Sequence, residues 1–135
     1  MIGEEQMLID GEDAIVAARG FARIAARNLG FSLLDQTRIA TAVSELARNV
    51  VHYATGARGE MLVRTVTKDS RTAIEIVVRD DGPGIPNLDK AIEPGYTSGA
   101  GLGIGLSGTK RLMDEFAIES SAGTGTAVTI RKWRR

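Results

Sequence analysis

The sequence predicts an α+β domain, a two-layer sandwich whose mixed, mostly antiparallel sheet is covered by helices on one face. Three observations predict it. Two segments carry apolar residues at three- and four-residue intervals, the mark of amphipathic helices. They are followed by two adjacent runs of β-branched residues joined by a short turn, and a second such pair comes last. Hairpins pair antiparallel, and helices grouped apart from them cover one face of the sheet they form.

Taken in order, residues 6–9 are short and apolar enough for an edge strand. From 13 to 28, Ile15, Val16, Ala18, Phe21, Ala22 and Ile24 suggest the buried stripe of a helix that Gly30 ends. A second helix over 34–54 has Ile39, Ala42, Val43, Leu46, Ala47 and Val50 as its stripe, with Gly56 closing it. The period then shortens to two. Strands are expected at 61–67 and 72–80, around a turn at Lys68-Asp69-Ser70. In the latter strand Ile74, Ile76 and Val78 face one way and Glu75 and Arg79 the other, so one face of the sheet is covered and one is wet. By the same parity Asp80 falls on the covered side, where a carboxylate needs a partner.

Residues 81–107 are too rich in Gly and Pro to be regular throughout, and so long a loop in a small domain is either functional or disordered. A helix over 104–116 follows, with Leu106, Leu112 and Met113 among its apolar positions. Strands at 117–120 and 126–133 flank the turn Ala122-Gly123-Thr124-Gly125. Residues 1–135 are expected to form a single domain, since 135 residues are too few for two cores of useful size.

Composition narrows the function. With 17 basic and 17 acidic residues, no global field selects nucleic acid or an anionic membrane as partner. The basic segment Arg131-Lys132-Trp133-Arg134-Arg135 reads as a solvated end or a docking patch. The absence of cysteine excludes disulfides, thiolate metal sites and cysteine nucleophiles. An acidic beginning without an apolar run is not a secretory signal, and no stretch approaches the roughly 20 apolar residues of a membrane span, so the cytoplasm is the default compartment.

Four constellations can carry chemistry. Glu45 and Asn49, four apart on the second helix, present oxygens to one spot, bordered by Thr41, Arg48 and His52; alone, this is equally a solvated polar face. Asp80-Asp81-Gly82-Pro83-Gly84 places a carboxylate able to accept from an exocyclic amine beside glycines that let a flat ligand approach; the plain alternative is a turn ending a strand. Gly99-Ala100-Gly101-Leu102-Gly103-Ile104-Gly105 exposes N–H groups just before a helix, which suits phosphate oxygens. It lacks the Gly-Lys-Ser/Thr of a P-loop and the preceding strand of a dinucleotide-binding turn. Gly123-Thr124-Gly125-Thr126 is by itself a hairpin turn, but Thr126 shares its face with Val128 and Ile130 and can point inward beside Asp80.

Together and in this order, these segments resemble the ATPase fold shared by gyrase, the Hsp90 chaperone, histidine kinases and MutL, the GHKL superfamily. The resemblance implies ATP and Mg²⁺ as ligands, with Asn49 on the metal and Asp80 on adenine, helped by Thr126. It implies Gly82, Gly84, Gly99, Gly101, Leu102, Gly103 and Gly105 around the nucleotide, and residues 87–103 as a lid hinged by Gly95, Gly99 and Gly101. Glu45 would be the catalytic base. Tyr53 departs from the pattern of sensor kinases, which often carry a basic residue there; Arg48 or His52 could take over its phosphate contact. The only histidine is His52 within the second helix, which argues against a phosphoacceptor histidine. Residues 101–116 most resemble the stand-alone serine/threonine kinases of bacterial partner switching, the stressosome switch-kinase type. That implies a STAS-domain antagonist as substrate and a PP2C-type phosphatase as the partner activated when the kinase is free. The alternatives are an anti-sigma factor kinase that captures a sigma factor directly and an ATP-sensing module without catalysis.

Overall fold

A computed structural model describes residues 4–53, 58–82, 105–121 and 123–135. The order is β1 (Glu4–Ile9), α1 (Glu12–Asn28), α2 (Leu33–Tyr53), β2 (Gly59–Lys68), β3 (Arg71–Asp80), α3 (Gly105–Leu112), β4 (Glu115–Ser121) and β5 (Gly125–Trp133). The strands form one sheet in the order β1-β2-β3-β5-β4, and every pairing among them is antiparallel. This is the two-layer α+β sandwich that the hairpin pattern predicts.

One apolar core lies between sheet and helices. It takes Ile15, Ala18, Ala22 and Ala26 from α1, Ile39, Val43, Leu46 and Val50 from α2, Leu106 from α3, and Met61, Val63, Ile74, Ile76, Val78, Val128 and Ile130 from the strands. The α2 stripe is buried as its spacing predicts. On α1 the stripe is displaced. Val16 and Ile24 are 64% and 59% exposed, and the buried row is instead Ala14, Ala18, Ala22 and Ala26. Small side chains every fourth residue let a helix approach its neighbours closely, and α1 packs against α2.

The ends of the elements have local causes. Gly30 adopts φ +87 after α1, where the N–H groups of Leu29, Gly30 and Phe31 close on the last helical carbonyls. Ser32 Oγ accepts from Asp35 N at 3.1 Å and caps α2. Asp69 and Ser70 both take positive φ, 52° and 66°, and make the two-residue turn between β2 and β3.

Further expectations are corrected. The third helix ends at Leu112, not near Phe116, because Glu115 and Phe116 already pair with Arg131 and Ile130 of β5. Nor is the outer face of the sheet simply wet. Glu75 is 2% exposed there, held between Arg64 and Arg131 on the flanking strands. Burial alone would push its carboxyl up, but the hydrogen bonds and charges of Arg131 and Arg64 outweigh it and hold it below the usual glutamate range.

The basic segment 131–135 is solvated only at Arg134 and Arg135, and each of its side chains has a partner. Arg131 pairs with Glu75 and Glu115, and Lys132 donates to the Leu112 carbonyl. Trp133 donates through Nε1 to Glu115 and lies under the Arg71 guanidinium. Arg134 donates to the Leu29 carbonyl and Arg135 to Asp114. The segment is a clasp that ties β5 to the ends of α1 and α3.

Candidate nucleotide site

Asp80 ends β3 and stands opposite Thr126 of β5 on one side and Gly59 of β2 on the other. Its Oδ1 accepts from Gly82 N at 2.9 Å, and the Thr126 N–H also donates to the carboxyl. Burial pushes this carboxyl up; the two N–H donors pull it back only in part, and the neighbouring Asp81 charge adds to the rise. Asp81 is used locally: its Oδ1 accepts from Arg58 N at 2.8 Å and fixes the strand end to the residue before β2.

Gly125 shows how closely β5 approaches. It has φ +104, and a Cβ there would lie 2.0 Å from the Asp80 carbonyl oxygen, a distance no side chain can occupy. Thr126 therefore sits directly beside Asp80, as the strand parity predicts. Its Oγ1 lies 2.8 Å from Ser120 Oγ on β4, and Ser120 Oγ donates to the Gly125 carbonyl. Ser120 is the neighbour that sequence reasoning missed. Only the β4–β5 register brings it opposite Thr126.

The other half of the site is on α2. Leu46, Ala47 and Val50 enter the core, and Glu45 and Asn49 share the adjoining face. Glu45 is only 4% exposed, so the solvated-face alternative does not hold for it. Its Oε1 accepts from Arg48 Nη1 at 3.2 Å, which orients the carboxylate. Asn49 remains partly exposed. His52 Nε2 lies 3.0 Å from Glu12 Oε1 at the start of α1, so in this structure His52 bridges the two helices.

Gly59 joins the halves. A Cβ at Gly59 would come within 2.3 Å of Val50 Cγ1, so α2 presses on the first residue of β2, and that residue pairs with Asp80. The Asn49–Val50 turn and the Asp80–Thr126 pair thus occupy the same end of the sandwich. Gly105 opens α3 with φ +69, and its carbonyl accepts from Thr109 Oγ1 at 3.1 Å. Gly84, Gly99, Gly101, Leu102 and Gly103 lie outside the described residues, as do the expected lid at 87–103 and the helix-closing Gly56. Among the described residues no group of three or more His, Cys, Asp or Glu gathers to hold a metal, and no helix is long and apolar enough to cross a membrane.

A one-faced antiparallel sandwich with a buried helical Glu, an Asn one turn on and a strand-end Asp defines a class. The chain belongs to the histidine kinase-like ATPase domain family, whose profile matches residues 10–132. It is an ATP-binding domain of that class. In particular, it is 47% identical over 121 residues to the serine/threonine-protein kinase RsbT of Bacillus subtilis, covering 90% of each chain. It is 33% identical to the anti-sigma F factor of Clostridium novyi over 119 residues, 83% of each chain. Among solved structures, the RsbU and RsbW domains of Rv1364c from Mycobacterium tuberculosis match with a TM-score of 0.64 at 20% identity, over 100% of this chain and 33% of that one. The catalytic domain of the histidine kinase ThkA matches with a TM-score of 0.53 at 16% identity, over 99% and 97%. These structural likenesses concern the fold.

Proposed function

We propose that this protein is the kinase of a cytoplasmic partner-switching pair, moving the γ-phosphate of ATP to a serine or threonine of a STAS-domain antagonist. The same reading has it bind and activate a PP2C-type phosphatase once released from that antagonist. The kinase class follows from 47% identity to a serine/threonine-protein kinase over nine-tenths of both chains. The observation that carries the chemistry is Glu45, a buried carboxylate one turn from Asn49 on a helix pressed against the end of the sheet where Asp80 sits.

The residues fit the ligands. Asp80 is partly buried at the mouth of a glycine-backed strand end, where it can accept from the adenine amine while Gly82 and Thr126 N–H groups hold its orientation. The Thr126 and Ser120 hydroxyls form a polar pair beside it, suited to a ring nitrogen directly or through water. Asn49 offers a single amide oxygen, enough for Mg²⁺, which takes most of its other ligands from phosphate and water. When bound there, Mg²⁺ would offset the charge on the phosphates. Gly82, Gly84, Gly99, Gly101, Leu102, Gly103 and Gly105 would surround the nucleotide with backbone N–H groups. Glu45 would take the proton of the attacking hydroxyl, its carboxylate held in place by Arg48.

Glu45→Ala should slow phosphorylation of a STAS protein about 100-fold or more, the scale of a lost general base. Nucleotide affinity should change little. The check is labelled ATP with purified STAS protein, alongside calorimetry of ATP binding; a wild-type rate removes Glu45 from the chemistry. A second reading is favoured by the similarity to anti-sigma F factors: direct capture of a sigma factor. Pull-down from cell extract, scored for sigma factor against phosphatase, separates the two. A protein that binds ATP yet phosphorylates neither partner would be a nucleotide sensor.

A further inference from the structure

Lys132 is the one buried cation among the described residues, 5% exposed, and the proposed chemistry leaves it unused. It lies on β5 in step with Val128 and Ile130, so its side chain enters the helical layer. Its Nζ donates to the carbonyl of Leu112, the last residue of α3, at 2.7 Å. Carboxylate oxygens of Asp35 on α2 and Asp114 in the α3–β4 turn each lie 3.9 Å away. A buried ammonium persists where acceptors surround it, and at a helix C-terminus it also complements the dipole.

The β5 main chain fastens the same turn. Asp114 N donates to the Arg131 carbonyl at 3.0 Å, and Trp133 N donates to Asp114 Oδ2 at 2.8 Å. The C-terminal end of α3 is therefore fixed to both β5 and the start of α2. Its other end begins at Gly105, one of the residues assigned above to the nucleotide. Eight helical residues span about 12 Å, a rod short enough that a shift at Leu112 reaches Gly105.

We propose that Lys132 is a positioning residue for the phosphate end of the nucleotide: by holding the Leu112 carbonyl between α2 and β5, it sets where the first-turn N–H groups of α3 stand. Lys132 itself touches no substrate. The inference rests on the nucleotide reading of the preceding subsection.

The test compares ligands with and without phosphate on Lys132→Met, which keeps length and burial but loses the donor. Affinity for Mg·ATP, by calorimetry, should fall about 10-fold, while affinity for adenosine, by NMR titration, changes less than about 2-fold. Lys132→Arg, which retains a cationic donor, should recover most of the Mg·ATP affinity. Equal losses for both ligands, or no loss for either, overturn the proposal, since a purely structural lysine would not discriminate between them. Where Lys132→Met does not fold, Asp114→Asn is read by the same two affinities and the same criterion. Absence of any Mg·ATP heat with the wild-type protein is a different outcome: it overturns the nucleotide reading, and this proposal with it.

Discussion

Two carboxylates on the same strand, Asp80 and Glu75, are shifted in opposite directions. Asp80 is raised because burial outweighs the N–H groups of Gly82 and Thr126. Glu75 is more deeply enclosed, yet it is lowered because two guanidinium groups face it. Backbone N–H groups hold Asp80, whereas guanidinium groups of two neighbouring strands hold Glu75. A raised folded-state value means that the native protein binds the proton more tightly than the unfolded chain, so the cost of charging Asp80 is present at neutral pH and disappears on acidification. Asp80→Asn should therefore hold or slightly raise the stability of the ligand-free protein at pH 7, with its advantage over wild type shrinking toward pH 4. Urea denaturation across that range checks it. The same substitution should weaken ATP binding about 10-fold or more, because an amide presents one acceptor and an unwanted donor to the adenine amine. At this scale the sequence placed Glu45 and Asn49 on one helix face and Asp80 beside Thr126, relations that follow from local spacing and strand parity. It was silent on Ser120 and on the burial of Glu75, which depend on which strand lies alongside.

At the scale of elements, the site depends on close approaches of backbone that only glycine permits. Gly125→Ala would force a methyl into the Asp80 carbonyl at a left-handed φ. It should cost at least about 2 kcal/mol in denaturant unfolding and reduce ATP affinity by displacing Thr126 from Asp80. A variant of wild-type stability would show that β5 can retreat without disturbing the site. Helix α1 shows the limit of periodicity. Val16 and Ile24 fit the helical repeat as well as Ala18 and Ala22 do, and nothing in the repeat says that the alanine row is the buried one. Helix α3 shows another limit, since residues 113–116 continue a helical pattern until β5 offers a ladder for Glu115 and Phe116.

For the whole molecule, a row of alternating charge crosses the outer face of the sheet. Glu4, Arg64, Glu75, Arg131 and Glu115 are successive cross-strand partners, one from each of the five strands. At its centre, Arg131→Ala would leave Glu75 buried with Arg64 alone and should cost about 3 kcal/mol. Because Glu75 is lowered in the fold, its contribution is present at neutral pH and is lost as pH falls through the depressed value. The acid limb of the unfolding curve should flatten in Arg131→Ala, and an unchanged limb would show that the row is decorative. By itself, the sequence determined the two-layer class and the order of the elements, because helical and strand repeats and glycine turns are written in neighbouring residues. Tertiary structure alone decided the α1 face, the buried Glu75 and the conversion of the basic segment 131–135 into a clasp. Their partners lie far away in the chain, as with Arg131 and Glu75, 56 residues apart, and which distant groups meet is settled only when the layers pack.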